Sequence, residues 1–234
     1  MKETDYLMNE TEIMYRQTDI WKIFRYNAFT LSQKNMWNYG GTPFSNNASL
    51  RWQSMTMNRY EWDVKETFAW NWLDSRLLRG GPDVRFGSYF LTSAKFNTDK
   101  AKRMMFMLKY EGDHNFEGNR FNTISPSLTF RLGNHVYLSG QLDYAWNTDE
   151  MQYVATTSPL SSSSLTPYYY VMGHMDQKTY GLTLKLQVNV TPDISIQFYG
   201  APFTSIAKYD DFKLAADTKS HTFENRFQRI DRII

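Results

Sequence analysis

The side chains that could do acid–base or metal chemistry are few and widely spaced. Histidines stand at four positions without a metal-binding spacing such as two on one helical turn: His114, His135, His174 and His221. His174 and Asp176 are two residues apart, so on a strand they would share a face and could share a pocket. A position in a lumen or a loop explains the pair with fewer assumptions, and we favour it.

Paired carboxylates could cleave a glycosidic bond, with Asp143, Asp210 and Asp211 as the candidates. Nothing in the sequence sets a separation between them, and 24 acidic residues make chance pairs easy. The serines at Ser161–Ser164 lack the setting of a nucleophilic serine, and the chain has no cysteine to act as a nucleophile or thiolate ligand. The residues therefore favour a non-enzymatic function, and we expect no catalytic residues, no metal and no cofactor.

The elements that must position these side chains are strands. From Tyr180 to Asn189 apolar and polar side chains alternate without exception, and the alternation resumes after a break at 191–193. Successive side chains of a strand point to opposite faces, so this hairpin has one apolar and one polar face. The same pattern recurs and predicts strands at 20–37, 46–57, 60–73, 85–97, 103–112, 120–132, 135–156, 168–190 and 194–209.

The alternation also assigns side chains to the two faces. The candidates for a face toward lipid or its interface are apolar or aromatic: Trp62, Trp70, Trp72, Phe106, Tyr144, Trp146, Leu182, Leu184 and Leu186. The candidates for lining a lumen are polar: Lys65, Lys109, Glu111, Arg131, Asp143, Lys185 and Gln187. The three tryptophans could instead form a sugar-stacking platform, but anchoring at a lipid interface needs no further assumption and we favour it. The polar side chains could equally pair into a plug.

Composition excludes several classes of protein. With 41% hydrophobic residues and a mean hydropathy of −0.58, the chain has no stretch near the roughly 20 apolar residues that a membrane-spanning helix needs. Its 26 basic and 24 acidic residues are well mixed, which gives no basic stripe for nucleic acid. Aromatic residues make up 17% of the chain, which fits the girdles of a membrane β-barrel, where only every second residue meets lipid.

The connections between strands are predicted to alternate in length. Short turns are expected at 57–59, 97–100, 133–134 and 191–193, and longer loops at 38–45, 74–84, 113–118 and 157–167. Short periplasmic turns and longer extracellular loops are typical of outer-membrane barrels. We expect one domain over 1–234, with 1–19 as an N-terminal lead-in and 210–234 as a loop that leads to a last strand.

Together these features predict an all-β fold, an antiparallel up-and-down transmembrane β-barrel of about 9–10 strands in the bacterial outer membrane. Its partners would be the lipid bilayer and lipopolysaccharide, with no nucleic acid. Hydrocarbon tolerates no open sheet edge, so missing strands or a partner chain are expected to complete the barrel. Such a protein would act as an anchor or a pore. Two alternatives stay open: a soluble all-β binding module, and a barrel hydrolase with its site at the extracellular rim.

One stretch of the chain resembles a known family. It is 191–203, TPDISIQFYGAPF, followed by 208–213, KYDDFK; the segments 78–82, LRGGP, and 170–177, YVMGHMDQ, are also similar. The family comprises large exported proteins of Bacteroidota-type Gram-negative bacteria. Their N-terminal domain is similar to a family-nine carbohydrate-binding module, and their C-terminal half looks like an outer-membrane barrel described as a domain of unknown function. The resemblance implies that this chain is part of such a barrel, linked to carbohydrate binding or uptake through a domain absent here, and it carries no catalytic residues over.

Overall fold

The computed structural model describes residues 6–41, 43–70, 72–133, 135–158, 168–191 and 193–230. The strands are β1 (Leu7–Gln17), β2 (Phe24–Trp37), β3 (Pro43–Thr56), β4 (Glu61–Trp70), β5 (Trp72–Asp74), β6 (Val84–Phe86), β7 (Tyr89–Asn97), β8 (Met104–Asn115), β9 (Arg120–Leu132), β10 (Val136–Thr157), β11 (Tyr169–Asn189), β12 (Ser195–Gly200), β13 (Phe203–Ala215) and β14 (Phe227–Arg229). One short helix, α1 (Phe223–Arg226), precedes β14.

Twelve of these strands form one antiparallel sheet in chain order, β1-β2-β3-β4-β7-β8-β9-β10-β11-β13-β14, with β12 beside the end of β11. The remaining two, β5 and β6, form a separate hairpin. The all-β, antiparallel, up-and-down fold is thus confirmed. Within the described residues the sheet is open, since β1 pairs only with β2 and β14 only with β13.

The prediction of about 9–10 strands is wrong, and two misplaced segments explain much of the difference. The expected lead-in at 1–19 contains β1, which pairs with β2 along its whole length from Leu7↔Trp37 to Gln17↔Asn27. The expected strand at 194–209 is two strands, because Pro202 has no N–H to continue the ladder with β11. The segment 210–234, expected to be a loop that leads to a last strand, begins with the end of β13 and continues through α1 to β14, the last strand of the described chain.

The loop lengths also depart from expectation. The prediction of a short turn at 97–100 is wrong, because β7 and β8 are joined by the longer connection 98–103. The prediction of a long loop at 113–118 is also wrong, because β8 and β9 extend and leave only 116–119 between them. Asn115 holds this turn by accepting hydrogen bonds on its side-chain oxygen from the backbone N–H groups of Glu117 and Asn119, each at 2.9 Å. Gly118 supplies the positive φ of 101° that the turn requires. The serines at Ser161–Ser164 lie outside the described residues.

The hairpin of β10 and β11 forms the longest ladder of the sheet. Its register runs from Val136↔Val188 to Thr157↔Tyr169, with irregularities after Asp149 and Tyr153. The connections 133–135 and 190–194 mark one end of the sheet, called here the turn end, and 158–168 marks the other, the loop end. No helix in the described part of the chain is long and apolar enough to cross a membrane.

The buried apolar core is small and lies at the loop end. It comprises Leu78, Val84, Met151, Met172 and Phe227. These side chains come from the β5–β6 hairpin, from the ends of β10 and β11, and from β14, so the core joins distant segments into a cap over one end of the sheet. Gly81 allows the hairpin to close, because a Cβ there would stand 2.6 Å from the ring of Tyr170.

Candidate functional site

Strand register gathers the apolar candidates on one face of the sheet. Residues directly opposite each other in an antiparallel ladder share a face. One lattice row crosses the sheet from β1 to β13 and is apolar or aromatic until its last member: Tyr15, Phe29, Trp52, Val64, Ala94, Tyr110, Ile124, Tyr144, Tyr180 and Thr204. We call this row, with the apolar rows on either side of it, the apolar band.

The predicted lipid-facing side chains belong to this band. Leu182 faces Leu142, and Leu186 faces Leu138, which in turn faces Phe130. By the same pairing Trp62, Trp70, Phe106, Tyr144, Trp146 and Leu184 share the face. Trp72 lies in the separate β5–β6 hairpin, and its side chain lies outside the described part of the structure. The contact of this face with lipid stays a prediction.

The band is exposed and has aromatic clusters toward both ends. Leu31 is 55% exposed, Leu142 58% and Ile206 68%. Near the turn end Trp62 lies 4.4 Å from Phe96, measured between ring centroids. Toward the loop end Tyr144 stacks on Trp146 at 5.1 Å and on Tyr180 at 5.0 Å. Glu66 is a polar side chain inside the band, where it accepts a 2.7 Å hydrogen bond from the Thr92 hydroxyl.

The opposite face of the sheet is polar and largely hydrogen-bonded. Register places all seven predicted lumen-lining side chains there: Lys65, Lys109, Glu111, Arg131, Asp143, Lys185 and Gln187. Lys109 pairs with Glu111 at 2.7 Å, and Asp143 accepts hydrogen bonds from Ser125 at 2.6 Å and Gln141 at 2.8 Å.

Small side chains on this polar face are buried, among them Ala28, Ser49 and Ser125. A concave surface crowds small residues in this way, so we read the polar face as the inner side of a curved sheet. At the turn end it holds a depression of about 360 Å³ lined by Arg131, Tyr137 and Gln187.

A buried ion pair ties the cap to the sheet at the loop end. The guanidinium of Arg226, in α1, is fully buried, pairs with the carboxylate of Glu117 and donates to the backbone carbonyl of Arg85. Glu117 also accepts a hydrogen bond from the N–H of Gly87 at 3.1 Å. The ion pair and these hydrogen bonds therefore link the C-terminal segment, the end of β6 and the β8–β9 turn.

Beneath this cap the polar face holds a larger pocket of about 430 Å³. Leu91, Asp113, Phe121 and Asn147 form one row on four neighbouring strands and line this pocket. Tyr89 and Asp149 lie in the next row toward the loop end, and Asp74 and Phe86 of the β5–β6 hairpin complete the wall. The cap therefore turns an open groove on the sheet into a pocket.

Two carboxylates in this pocket are electrostatically perturbed. Burial raises the pKa of Asp113 above its ordinary value, and the charge of Asp149 adds to the shift. Burial also raises the pKa of Asp149, with the neighbouring charge of Glu150 in the same direction. Burial raises the pKa of Tyr89 to about 12. In the described part of the chain, neither Asp113 nor Asp149 has a basic group within ion-pair distance; Asp113 accepts from the backbone of Phe121 and Asp149 from that of Met151.

His174 and Asp176 do meet, on the other face of the loop end. His174 Nε2 lies 3.4 Å from a carboxylate oxygen of Asp176, and its Nδ1 lies 2.9 Å from Glu150. Burial lowers the pKa of His174, but the hydrogen bonds and charges of Glu150 and Asp176 outweigh that effect and leave it raised. Glu150 in turn approaches the buried amine of Lys213 at 3.7 Å, so the pair belongs to a charge network that joins β10, β11 and β13.

The other predicted carboxylate pair is not brought together. The register places Asp143 in the same row as Gly181 and Phe203. Asp210 lies seven residues beyond Phe203 on β13, which is roughly 23 Å along the strand at its usual rise. Asp210 pairs with Lys208 at 2.8 Å.

The sequence reasoning missed Asp113 and Asp149, which are joined only through the register of β9. No cluster of three or more metal-ligating side chains occurs in the described residues.

Comparison with known protein families found a match over nearly the whole chain. The model of a family described as a domain of unknown function, DUF5916, matches residues 1–231. The chain belongs to the DUF5916 family. A search of curated proteins and a search of solved structures found no match. Membership of DUF5916 assigns no reaction or ligand, so function must be argued from the two faces of the sheet and the capped pocket.

Proposed function

We propose that this chain forms the wall of a bacterial outer-membrane β-barrel that acts as an anchor or a pore. The observation that carries the proposal is the apolar lattice row across the sheet, from Tyr15 on β1 to Tyr180 on β11. A strand that faces lipid presents every second residue to it, and a barrel requires those residues to align on successive strands. The registers satisfy that requirement.

The height of the apolar band fits a bilayer. On β10 its apolar side chains run from Val136 to Trp146, with Gly140 between them. Ten steps of roughly 3.3 Å span roughly 33 Å along the strand. At a barrel tilt of roughly 40° this corresponds to roughly 25 Å across the membrane, the usual height of the apolar belt of such barrels. Beyond Trp146 the same face turns polar, with Thr148 opposite Asp176 and Asp176 opposite Lys208.

The exposure of the band supports a lipid partner over free solution. Soluble monomers rarely leave contiguous apolar patches larger than a few hundred Å² uncovered. Here exposed apolar side chains continue from Ile13 on β1 to Ile206 on β13. Aromatic clusters such as Trp62–Phe96 and Tyr144–Tyr180 lie where interfacial girdles would be expected.

The polar face supports a wet interior. Its charges are balanced locally, as in the pairs Lys109–Glu111 and Arg51–Asp63, which permits either an open pore or a polar plug. In lipid the backbone groups at the outer edges of β1 and of β13 need partners, because β14 pairs with β13 only at Lys213–Ala215. We propose that further strands or a partner chain supply them, and that a linked carbohydrate-binding domain, as in the resembled Bacteroidota proteins, would give the barrel a role in glycan binding or uptake.

Detergent dependence tests the proposal. We expect the purified protein to need detergent, and after reconstitution into phospholipid vesicles to stay with them through alkaline carbonate extraction. A monodisperse, detergent-free monomer, or quantitative release by carbonate, would contradict a membrane location. Planar bilayers containing the same protein then separate the two versions, because a pore conducts and an anchor does not.

A further inference from the structure

The pocket beneath the cap has the shape of a small-molecule site. Its volume of about 430 Å³ lies within the range of ligand pockets in proteins, roughly 300–1,000 Å³. Three aromatic side chains contribute to its wall: Phe86 from the cap, Tyr89 from β7 and Phe121 from β9. Aromatic walls suit an organic ligand with an apolar body.

The charge of the pocket is unbalanced. Asp74, Asp113 and Asp149 line it, and Arg120 is its one basic lining residue among those described. Arg120 is exposed, and its register opposite His114 and Thr148 places it on the face of the sheet opposite to that of Asp113 and Asp149. The interior of the pocket is therefore acidic, with two half-buried carboxylates, and the charge of Asp149 raises the pKa of Asp113.

The polar groups nearby are largely committed to the fold. The side-chain oxygen of Asn115 accepts from two backbone N–H groups, and that of Asn119 accepts from the N–H of Glu150 at 2.6 Å. Asp74 accepts from the N–H groups of Arg76 and Leu77. Asp113 and Asp149 accept one backbone hydrogen bond each, which leaves their remaining oxygen lone pairs as the main acceptors for a ligand.

From this arrangement we propose that the pocket binds a small organic cation, an ammonium group on an aliphatic body, with Asp113 and Asp149 as its counter-charges and the rings of Tyr89 and Phe121 as its walls. An ammonium group supplies donors to carboxylates and is attracted to aromatic faces within about 6 Å. From the register, Asp113 and Asp149 stand two strands and two residues apart, roughly 12 Å between Cα atoms. An aliphatic diamine could therefore reach both. The proposal does not rest on the membrane location, since the pocket lies on the polar face in either case.

Isothermal titration of the full chain, in the detergent that keeps it monodisperse, tests this assignment with diaminobutane and its neutral counterpart butanediol as probes. We expect saturable binding of the diamine and none of the diol. Asp113→Asn and Asp149→Asn should each weaken diamine binding about tenfold or more, since each removes a counter-charge in a half-buried site.

The matched control is Glu111→Gln, which removes a carboxylate from the same strand and face as Asp113 but outside the pocket, where it pairs with Lys109. It should change affinity less than about threefold, as expected of an exposed charge screened by salt. Thermal unfolding by circular dichroism shows whether each variant is folded. Equal binding of diol and diamine, no binding of the diamine, or equal loss in Glu111→Gln and Asp113→Asn would each overturn the proposal.

Discussion

Leu142 offers a direct test of which face of the sheet meets lipid. It lies in the apolar band six residues from Val136 and four from Trp146, so it stands within roughly one residue step of the band's middle. Its partner across the ladder is Leu182, and the residue is 58% exposed. Leu142→Arg would place a charge near the midplane of the bilayer, at a cost of about 2–4 kcal/mol, or about 30-fold to 1,000-fold in the folding equilibrium.

The neighbouring residue provides the control. Gln141 points to the polar face, where its amide donates to Asp143 at 2.8 Å. In Gln141→Arg the new guanidinium would lie beside the same carboxylate, so we expect a change below about 1 kcal/mol. Reversible urea unfolding from phospholipid vesicles, followed by tryptophan fluorescence, gives both free energies. Equal costs for the two variants, or a larger cost for Gln141→Arg, would refute the assignment of the faces.

Two further predictions concern the loop end. Glu117→Ala leaves the buried guanidinium of Arg226 without its carboxylate, which should lower the free energy of unfolding by about 3–5 kcal/mol. Hydrogen exchange at the amide of Ala216, which donates to the Arg226 carbonyl at 2.8 Å, should then speed up by two or more orders of magnitude. The control Glu224→Ala removes an exposed carboxylate and should leave this exchange rate unchanged. The raised pKa of His174 means that its contacts with Glu150 and Asp176 stabilise the fold fully below about pH 6.5 and progressively less as pH rises through the folded pKa. Titration of the His174 ring by NMR should give a pKa above 6.5 that falls in Asp176→Asn; an unchanged pKa in that variant would contradict the contact.

How far the sequence predicts the fold depends on how strictly each strand alternates. The strands expected at 135–156 and 168–190 are β10 and β11 to within one residue at each end. One face of this hairpin is apolar over most of its length, from Val136 to Trp146 on β10 and from Val188 to Tyr180 on β11. In β1 the two faces are less distinct, since Asn9 and Thr11 stand on the apolar side and Met8 and Met14 on the other. Because both sides of β1 mix apolar and polar side chains, its sequence cannot be distinguished from that of an irregular segment.

The candidate site was harder to predict because its residues meet only through pairing. Asp113 ends an alternating segment and Asp149 lies within a long one, and the register of β9 brings their rows together. The cap is set by a few contacts, such as Leu78 and Val84 in the core and Arg226 on Glu117. The ion pair joins positions 109 residues apart, and the core brings Val84 together with Phe227, so local propensity does not predict these contacts.

The measurement that tests the central claim most directly is a single-cysteine scan of β11 after reconstitution into phospholipid vesicles. The chain has no native cysteine, so a nitroxide attached in each variant from Tyr180→Cys to Asn189→Cys reports on one position. We predict that labels at 182, 184 and 186 are relaxed mainly by oxygen dissolved in lipid, and labels at 183, 185 and 187 mainly by a water-soluble nickel complex. Equal access of the nickel complex to all positions, or alternation in the opposite phase, would contradict the account.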